Sequence, residues 1–327
     1  MSIKIIKPGV LATLQDGGRY GFRSIGIGPG GAMDIFAMAV SNFLVGNDEK
    51  AAVLEMNFPA PEIRFQQNAL VSLTGADLTA LVDDQVMPMW RPFFIGKDSV
   101  LKFKQPVYGA KAYMSVQGGW QADQWLGSRS THLKVVAGGH LGRALQKDDL
   151  VRFNENDFSL TDNKILNWHL SQKETDKIYL LQNTIRYIKG IEWDLLDKVS
   201  QQNFEATDLS ITLESDRMGF RLNGTSLSLQ HPTEIISSAT DTGTVQILPD
   251  GNLIVLMADH QTTGGYPRIA SVIKADLPKF SQLSPGQKFN FKMVTIGEAE
   301  EALITMMQTL IEIKAGCHLN FEKYFKA

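Results

Sequence analysis

Cysteine is nearly missing from this 327-residue chain: Cys317 is the only one, so no intramolecular disulfide can form and a reducing compartment is expected. No excess of positive charge is present either. The 32 Lys and Arg against 35 Asp and Glu leave a formal charge of −3, too little to neutralise a phosphate backbone, so nucleic acid is not an expected partner. Long apolar runs are lacking. The best, Asn252 to Ala258 and Ala299 to Ile313, are too short or too interrupted by polar groups to span a bilayer. The N-terminal MSIKIIKPG has no signal-peptide core and reads as an immediate strand. These absences predict a cytoplasmic protein that meets neither membrane nor nucleic acid.

Metal-ligand spacing is also missing. The histidines at 132, 140, 169, 231, 260 and 318 form no HxH or HExxH pattern, and a single cysteine excludes CxxC, so no metal is expected. LGSRSTHL (Leu126 to Leu133) contains no GxSxG elbow, so a serine triad is unsupported.

What the chain does have is 43% hydrophobic residues, enough for a sizeable core, distributed in many short β-type runs. Strands are predicted over 3–6, 10–14, 53–56, 69–73, 78–82, 100–103, 112–116, 150–153, 178–181, 210–213, 244–248, 253–257, 270–273 and 288–291. Strand–helix alternation is absent, so barrels or sandwiches are expected rather than a doubly wound sheet. Helices are predicted over Asp34–Val45, Ile191–Val199, and from the Thr295…Glu298 capping box to about Lys314, where Ala315-Gly316 reads as the stop.

Two patterns recur. A turn residue followed five positions later by Phe appears at Asp98–Phe103, Asp148–Phe153 and Gly286–Phe291. An apolar strand, then Gln, Gly-Gly and an aromatic appears at Ala112–Trp120 and again at Leu256–Tyr266. The last occurrence of each falls in the C-terminal half, suggesting two related barrels joined by the polar stretch Asn154–Lys177, with domains over 1–160 and 161–327.

Several loops carry chemistry. GIGPGGAMD (Gly26 to Asp34) precedes a helix as a phosphate loop would, but lacks the Lys-Ser/Thr of a Walker motif; its glycines equally suit close backbone approach. Asp16, Arg19 and Arg23 surround three glycines. Asp259, Gln261, Thr262, Thr263, Tyr266 and Arg268 surround Gly264-Gly265, and Asp216, Arg217 and Arg221 make a third cluster. Each set suits a small substrate with carboxylate and amide groups, since a guanidinium grips a carboxylate in fork geometry and glycine N–H groups face developing negative charge. Each is equally readable as an internally paired Asp–Arg loop.

In order along the chain, LQDGGRYGFR, GGAMD, NFLVGND, LEM, TGAD, YMSVQGGW, LGSRSTHL, GGHLGRAL, SDRMGFRLNG and DHQTTGGYPRI resemble the allophanate hydrolase second-subunit family. This family is also called KipA-like or biotin-dependent carboxyltransferase, and includes the C component of 5-oxoprolinase. The resemblance runs from about Ile3 to Phe291. It implies a mostly β fold of two tandem cyclophilin-like β-barrels with a few helices and a C-terminal helix. It also implies a KipI-like partner (the B component of 5-oxoprolinase) and a LamB/YcsF-like partner (the A component), which together open the lactam of 5-oxoproline to L-glutamate with ATP. ATP would be used by the complex, with nothing covalently bound to this chain.

On that reading Asp259, Arg268 and Gln261 are the expected catalytic residues. Asp16, Arg19, Arg23, Asp34, Thr262, Thr263, Gly264, Gly265, Tyr266 and Arg217 are the expected substrate-binding residues, Arg268 or Arg19 taking the substrate carboxylate. The alternatives are a carboxyltransferase component acting on urea or a related amide with carboxybiotin, and a non-enzymatic KipA-like antagonist of a kinase inhibitor. Two segments depart from the family pattern: Gly190-Ile191 stands where Gly-Pro is common, and SSATDTG (Ser237 to Gly243) replaces a more apolar, Pro-containing stretch.

Overall fold

A computed structural model describes residues 1–154, 163–179, 183–231, 233 and 235–325. The chain forms two compact units that interleave in sequence. Unit 1 is residues 1–19, 30–174 and 308–327; unit 2 is residues 20–29 and 175–307. Relative to a cut at 160/161, residues 20–29, 161–174 and 308–327 thus lie on the other side.

Unit 1 is built on two six-stranded sheets. One runs in the order Leu150–Arg152, Ser2–Lys7, Glu62–Phe65, Val100–Phe103, Ala80–Val82, Gln85–Val86. The other runs Lys164–Ile165, Pro92–Ile95, Ala69–Asp77, Tyr108–Val116, Val53–Asn57, Ala12–Gln15. Their pairings are antiparallel, as hairpin-rich sequence with short turns dictates. Alternate side chains from both sheets, among them Ile3, Ile5, Leu54, Met56, Phe65, Val71, Leu73 and Phe153, merge into one fully buried cluster. Helix α1 (Ile35–Leu44) lies on the second sheet, where Thr74 Oγ1 donates to the Ala37 carbonyl at 2.7 Å.

Unit 2 is a closed barrel of seven strands: Thr184–Lys189, Arg268–Val272, Thr244–Ile247, Leu253–Leu256, Gly219–Asn223, Leu209–Ile211 and Lys288–Met293. The last strand closes the barrel by running parallel to the first, Ile185 opposite Phe291. Aromatic rings fill this region: Phe204 stacks on Phe291 at 4.8 Å, Tyr187 meets Phe204 edge-on at 4.9 Å, and Phe280 contacts Phe289.

The turn-to-Phe repeat has a common physical basis. Asp98 (φ 66°), Asp148 (φ 69°) and Gly286 (φ 81°) all adopt the left-handed region, which Asp and Gly tolerate best, and each precedes a strand; Phe153, just past its strand, and Phe291 are buried, while Phe103 is half-buried.

Helix expectations hold at some places and shift at others. Asp34 is the N-cap of α1, as expected, its carboxylate accepting from Ala37 N–H at 2.9 Å. Of the strand expected over 178–181, Ile178 and Tyr179 belong instead to helix α2 (Gln172–Tyr179), and residues 180–182 lie outside the described set. The expected linker is likewise only partly described; residues 155–162 fall outside, and Lys164–Ile165 joins a sheet. The helix predicted over 191–199 breaks into a 3₁₀ turn, Trp193–Leu195, and helix α3 (Lys198–Ala206), because Asp197 takes an extended conformation and caps α3 through Ser200 N–H. After α4 (Leu277–Ser281), α5 starts at the predicted capping box but runs unbroken over Ile296–Phe325. Gly316 does not end it, since the last turns are held by packing. Phe321 lies against Gly46, Tyr324 sits 5.7 Å from Trp168 and Phe325 6.2 Å from Phe94, outweighing the ~1 kcal/mol that glycine costs inside a helix.

Candidate functional site

In unit 1, the LQDGG loop is tied into the LGSRST segment. The Asp16 carboxylate accepts from Gly18 N–H (2.8 Å), the hydroxyls of Ser128 and Ser130 (2.6 Å each) and Arg129 N–H (2.5 Å). Four donors occupy its lone pairs. Arg19 is 2% exposed, donates to the Ser130 carbonyl, and stacks 5.0 Å from the Trp125 ring. This arrangement makes both residues joints between two loops.

Asp34 is fully buried, and its own N–H donates to the Tyr113 hydroxyl at 2.9 Å. The neighbouring Met33 N–H donates to Glu55 at 2.8 Å. A phosphate at this helix N-terminus would find the Met33, Asp34 and Ala37 N–H groups taken and the Asp34 and Glu55 carboxylates in place, so the residues here do not fit ATP. Among the described residues no group of metal-ligating side chains forms, and no helix is long and apolar enough to cross a membrane.

Unit 1 also holds an open cleft of about 640 Å³ between Gly118–Asp123 and the Arg129, His140 and Arg152 side chains. Beside it Arg143 grips Asp149 through two bonds of 2.7 and 2.8 Å and holds its carboxyl below the usual range, while burial pushes His140 below the ordinary imidazole range.

The 259–268 loop belongs to unit 2, and most of the expected site residues gather there. Arg217 holds Asp259 in a fork at 2.8 and 3.0 Å. Arg268 holds Glu192 in another, with bonds of 3.0 and 2.7 Å, and donates to the Ala239 carbonyl. Against the burial that would raise it, the Arg268 bonds keep Glu192 below the usual carboxylate range. Gly190 lets this connection close: a side chain there would collide with the Arg268 carbonyl. Arg23, from the segment 20–29, pairs with Asp241 at 2.7 Å. Despite partial burial, that guanidinium holds Asp241 down as well.

The SSATDTG departure borders this loop directly. Ser238–Ala239 pairs with Thr263–Gly264, and Thr240 donates to the Gln261 carbonyl at 2.6 Å. Thr263 is exposed, and Thr262 accepts through its carbonyl from Thr240 N–H. A Cβ at Gly264 would lie 2.7 Å from Gln246 Nε2, so a larger residue there would have to displace that side-chain amide. Gly265 sits at the exposed bend beside Tyr266.

Sequence reasoning passes over Glu192, Asp241, Gln246 and His260 as site residues. His260 is 2% exposed. Its Nδ1 lies 2.6 Å from the Gln261 carbonyl, which fixes the proton on Nδ1 and leaves Nε2 a bare acceptor with no partner among the described residues. Burial lowers its pKa, consistent with the neutral ring. Gln246 is fully buried, its Nε2 donating to the Tyr266 carbonyl at 3.3 Å while Oε1 likewise accepts from no described group. A buried orphan acceptor is the missing signal, and no sequence pattern carries it. Gln246, Gln261, Tyr266 and Arg221 border a cavity of about 360 Å³. Of the residues expected to act on substrate, Gln261 and Tyr266 therefore line the cavity, while Arg217, Asp259 and Arg268 brace the loop.

Comparison with known proteins agrees with this architecture. The chain is 38% identical to the 5-oxoprolinase C subunit of Escherichia coli over 92% of its own length and 94% of the relative's. It is 37% identical to the 5-oxoprolinase C subunit of Haemophilus influenzae over 88% of its length and 90% of the relative's. The crystal structure of the Kluyveromyces lactis urea amidolyase superposes with a TM-score of 0.86 at 24% identity, covering 95% of this chain but only 20% of that one, and shares the fold. The model of the carboxyltransferase domain, subdomain A and B, matches residues 25–293, and the chain belongs to that family.

Proposed function

We propose that this chain is the C subunit of an ATP-dependent 5-oxoprolinase, opening the lactam of 5-oxoproline to L-glutamate with its KipI-like (B) and LamB/YcsF-like (A) partners. The observation that carries this reading is the 38% identity to the Escherichia coli 5-oxoprolinase C subunit, sustained over nearly the full length of both chains. Unit 1, with its paired sheets, and the barrel of unit 2 are read as two cyclophilin-like barrels, and the complex as cytoplasmic. Opening an unstrained amide needs activation, because nitrogen delocalises into the carbonyl; ATP supplies that activation, and with the α1 N-terminus closed to phosphate we assign its binding to the rest of the complex.

Within this chain, Arg217–Asp259 and Arg268–Glu192 act as braces that preorganise the 259–268 loop, and Gln261 and Tyr266 face the substrate. The test is ATP hydrolysis by the chain with its KipI-like partner, with and without 5-oxoproline and the LamB/YcsF-like partner. Stimulation with glutamate formed is the expected result. A stable complex that 5-oxoproline does not stimulate overturns it and favours carboxybiotin chemistry or a purely regulatory pairing.

A further inference from the structure

The cavity in unit 2 combines a buried acceptor with a cation on one row of the barrel. Ile254 pairs with Arg221 on one side and Gln246 on the other, so the three side chains share a face across adjacent strands. All three border the cavity. Strand spacing of about 4.8 Å puts the Arg221 and Gln246 backbones roughly 10 Å apart, and a long arginine side chain reaches back across part of that gap.

The Tyr266 carbonyl sets the orientation of the Gln246 amide. Gly264 packs against Nε2, and Nε2 is held by the Tyr266 carbonyl, so Oε1 is the oxygen left over. Leaving a buried carbonyl oxygen without a donor is destabilising, a penalty that a ligand N–H removes. Arg221 is exposed and forms no ion pair among the described residues. Asp250 also borders the cavity; its two oxygens accept from Asn252 N–H (3.0 Å) and Nδ2 (2.8 Å), and these bonds, with the nearby Arg221 charge, hold its carboxyl below the usual range.

We infer that this cavity binds a small acid whose carboxylate lies close to an amide N–H, an N-acylated α-amino acid or its lactam, with Gln246 Oε1 accepting the N–H and Arg221 facing the carboxylate. Rotation of the exposed Gln261 and Tyr266 side chains opens Oε1 to the ligand. The assignment moves the carboxylate clamp from Arg268 and Arg19, both engaged within the fold, to Arg221. It deepens the lactam reading and rests on it for the substrate class.

The experiment measures KM and kcat for 5-oxoproline in the assembled complex carrying Arg221→Met or Gln246→Met, with 2-pyrrolidinone and N-methyl-5-oxoproline as competitors. Losing a charge-assisted bond raises KM roughly tenfold or more for Arg221→Met. Neither competitor should match 5-oxoproline, because one lacks the carboxylate and the other the N–H. Arg221 is on the surface, so that variant keeps the test decisive if Gln246→Met fails to fold. Unchanged KM in Arg221→Met, or competition by 2-pyrrolidinone as strong as by 5-oxoproline, overturns the inference while the lactam reading stands. A wild-type complex that neither turns over nor binds 5-oxoproline overturns both.

Discussion

Two strings of this chain look alike and are used differently. Gln117-Gly118-Gly119-Trp120 in unit 1 and Gln261…Gly264-Gly265-Tyr266 in unit 2 both follow an apolar strand. In the first, Gly118 and Gly119 have φ of 82° and 81°, and the turn sends Trp120 inward: it is 3% exposed, donates to the Met114 carbonyl and meets Phe153 edge-on at 5.9 Å. In the second, neither glycine has positive φ. Gly264 is small because Gln246 stands against it, and Tyr266 is 44% exposed at the cavity rim. The same letters serve backbone conformation and core packing in one unit, and close approach and presentation in the other.

The largest effect that would break this comparison is at the aromatic. Trp120→Ala should destabilise the protein by about 3–5 kcal/mol in denaturant unfolding, whereas Tyr266→Ala should cost about 0.5 kcal/mol. Equal losses would mean the two rings do the same job. Next come the glycines. Gly119→Ala should cost about 1–2 kcal/mol through its left-handed backbone, with open space around the new methyl. Gly264→Ala should cost about 1–3 kcal/mol by overpacking. A shortened partner, Gln246→Ser, should relieve much of the Gly264→Ala penalty in a double-mutant cycle, and should leave Gly119→Ala unchanged.

The pH dependence sharpens the contrast between the loops. His260 is buried neutral, so its contribution to stability is present above the ordinary imidazole pKa and is lost as pH falls below it towards the depressed folded value. Asp241 and Asp259 oppose that depression and Arg23 adds to it. His140 acts with the same sign, its burial countered by Asp149. His260→Asn should therefore reduce, without abolishing, the loss of stability between neutral and mildly acidic pH; an unchanged profile would mean the ring takes up its proton equally in the folded and unfolded states. A third glycine gives the smallest effect. Gly316 has helical backbone and nothing within 4 Å of a would-be Cβ, so Gly316→Ala should stabilise by about 0.5–1 kcal/mol.

These contrasts mark what the sequence could reveal. Strands rich in β-branched residues, such as Thr244–Ile247, and caps with a local signature, such as Asp34 and Thr295…Glu298, are legible because their cause lies within a few residues. The end of α5 is not, because Phe321 and Phe325 draw on partners far away in sequence. At the candidate site, the loop is visible as a cluster of Asp, Arg and Gly. The partners are not: Glu192 lies 76 residues from Arg268 and Asp241 lies 218 from Arg23, and only folding shows that these guanidinium groups are already engaged. Gln246 reads as one polar residue in an apolar strand until its neighbours are in place.

The interleaving of the two units has a consequence for how the protein is made. Residues 308 onward complete unit 1 yet leave the ribosome after all of unit 2, and residues 20–29 emerge early but have nothing to join until unit 2 appears. Unit 2 can therefore be finished once its main segment is synthesised, whereas unit 1 cannot be finished when its own is. The nascent chain must carry the exposed surface around Gly46, Phe94 and Trp168 until Phe321, Tyr324 and Phe325 arrive, which makes translation of the second unit the interval in which the first is open to misassembly or to a chaperone.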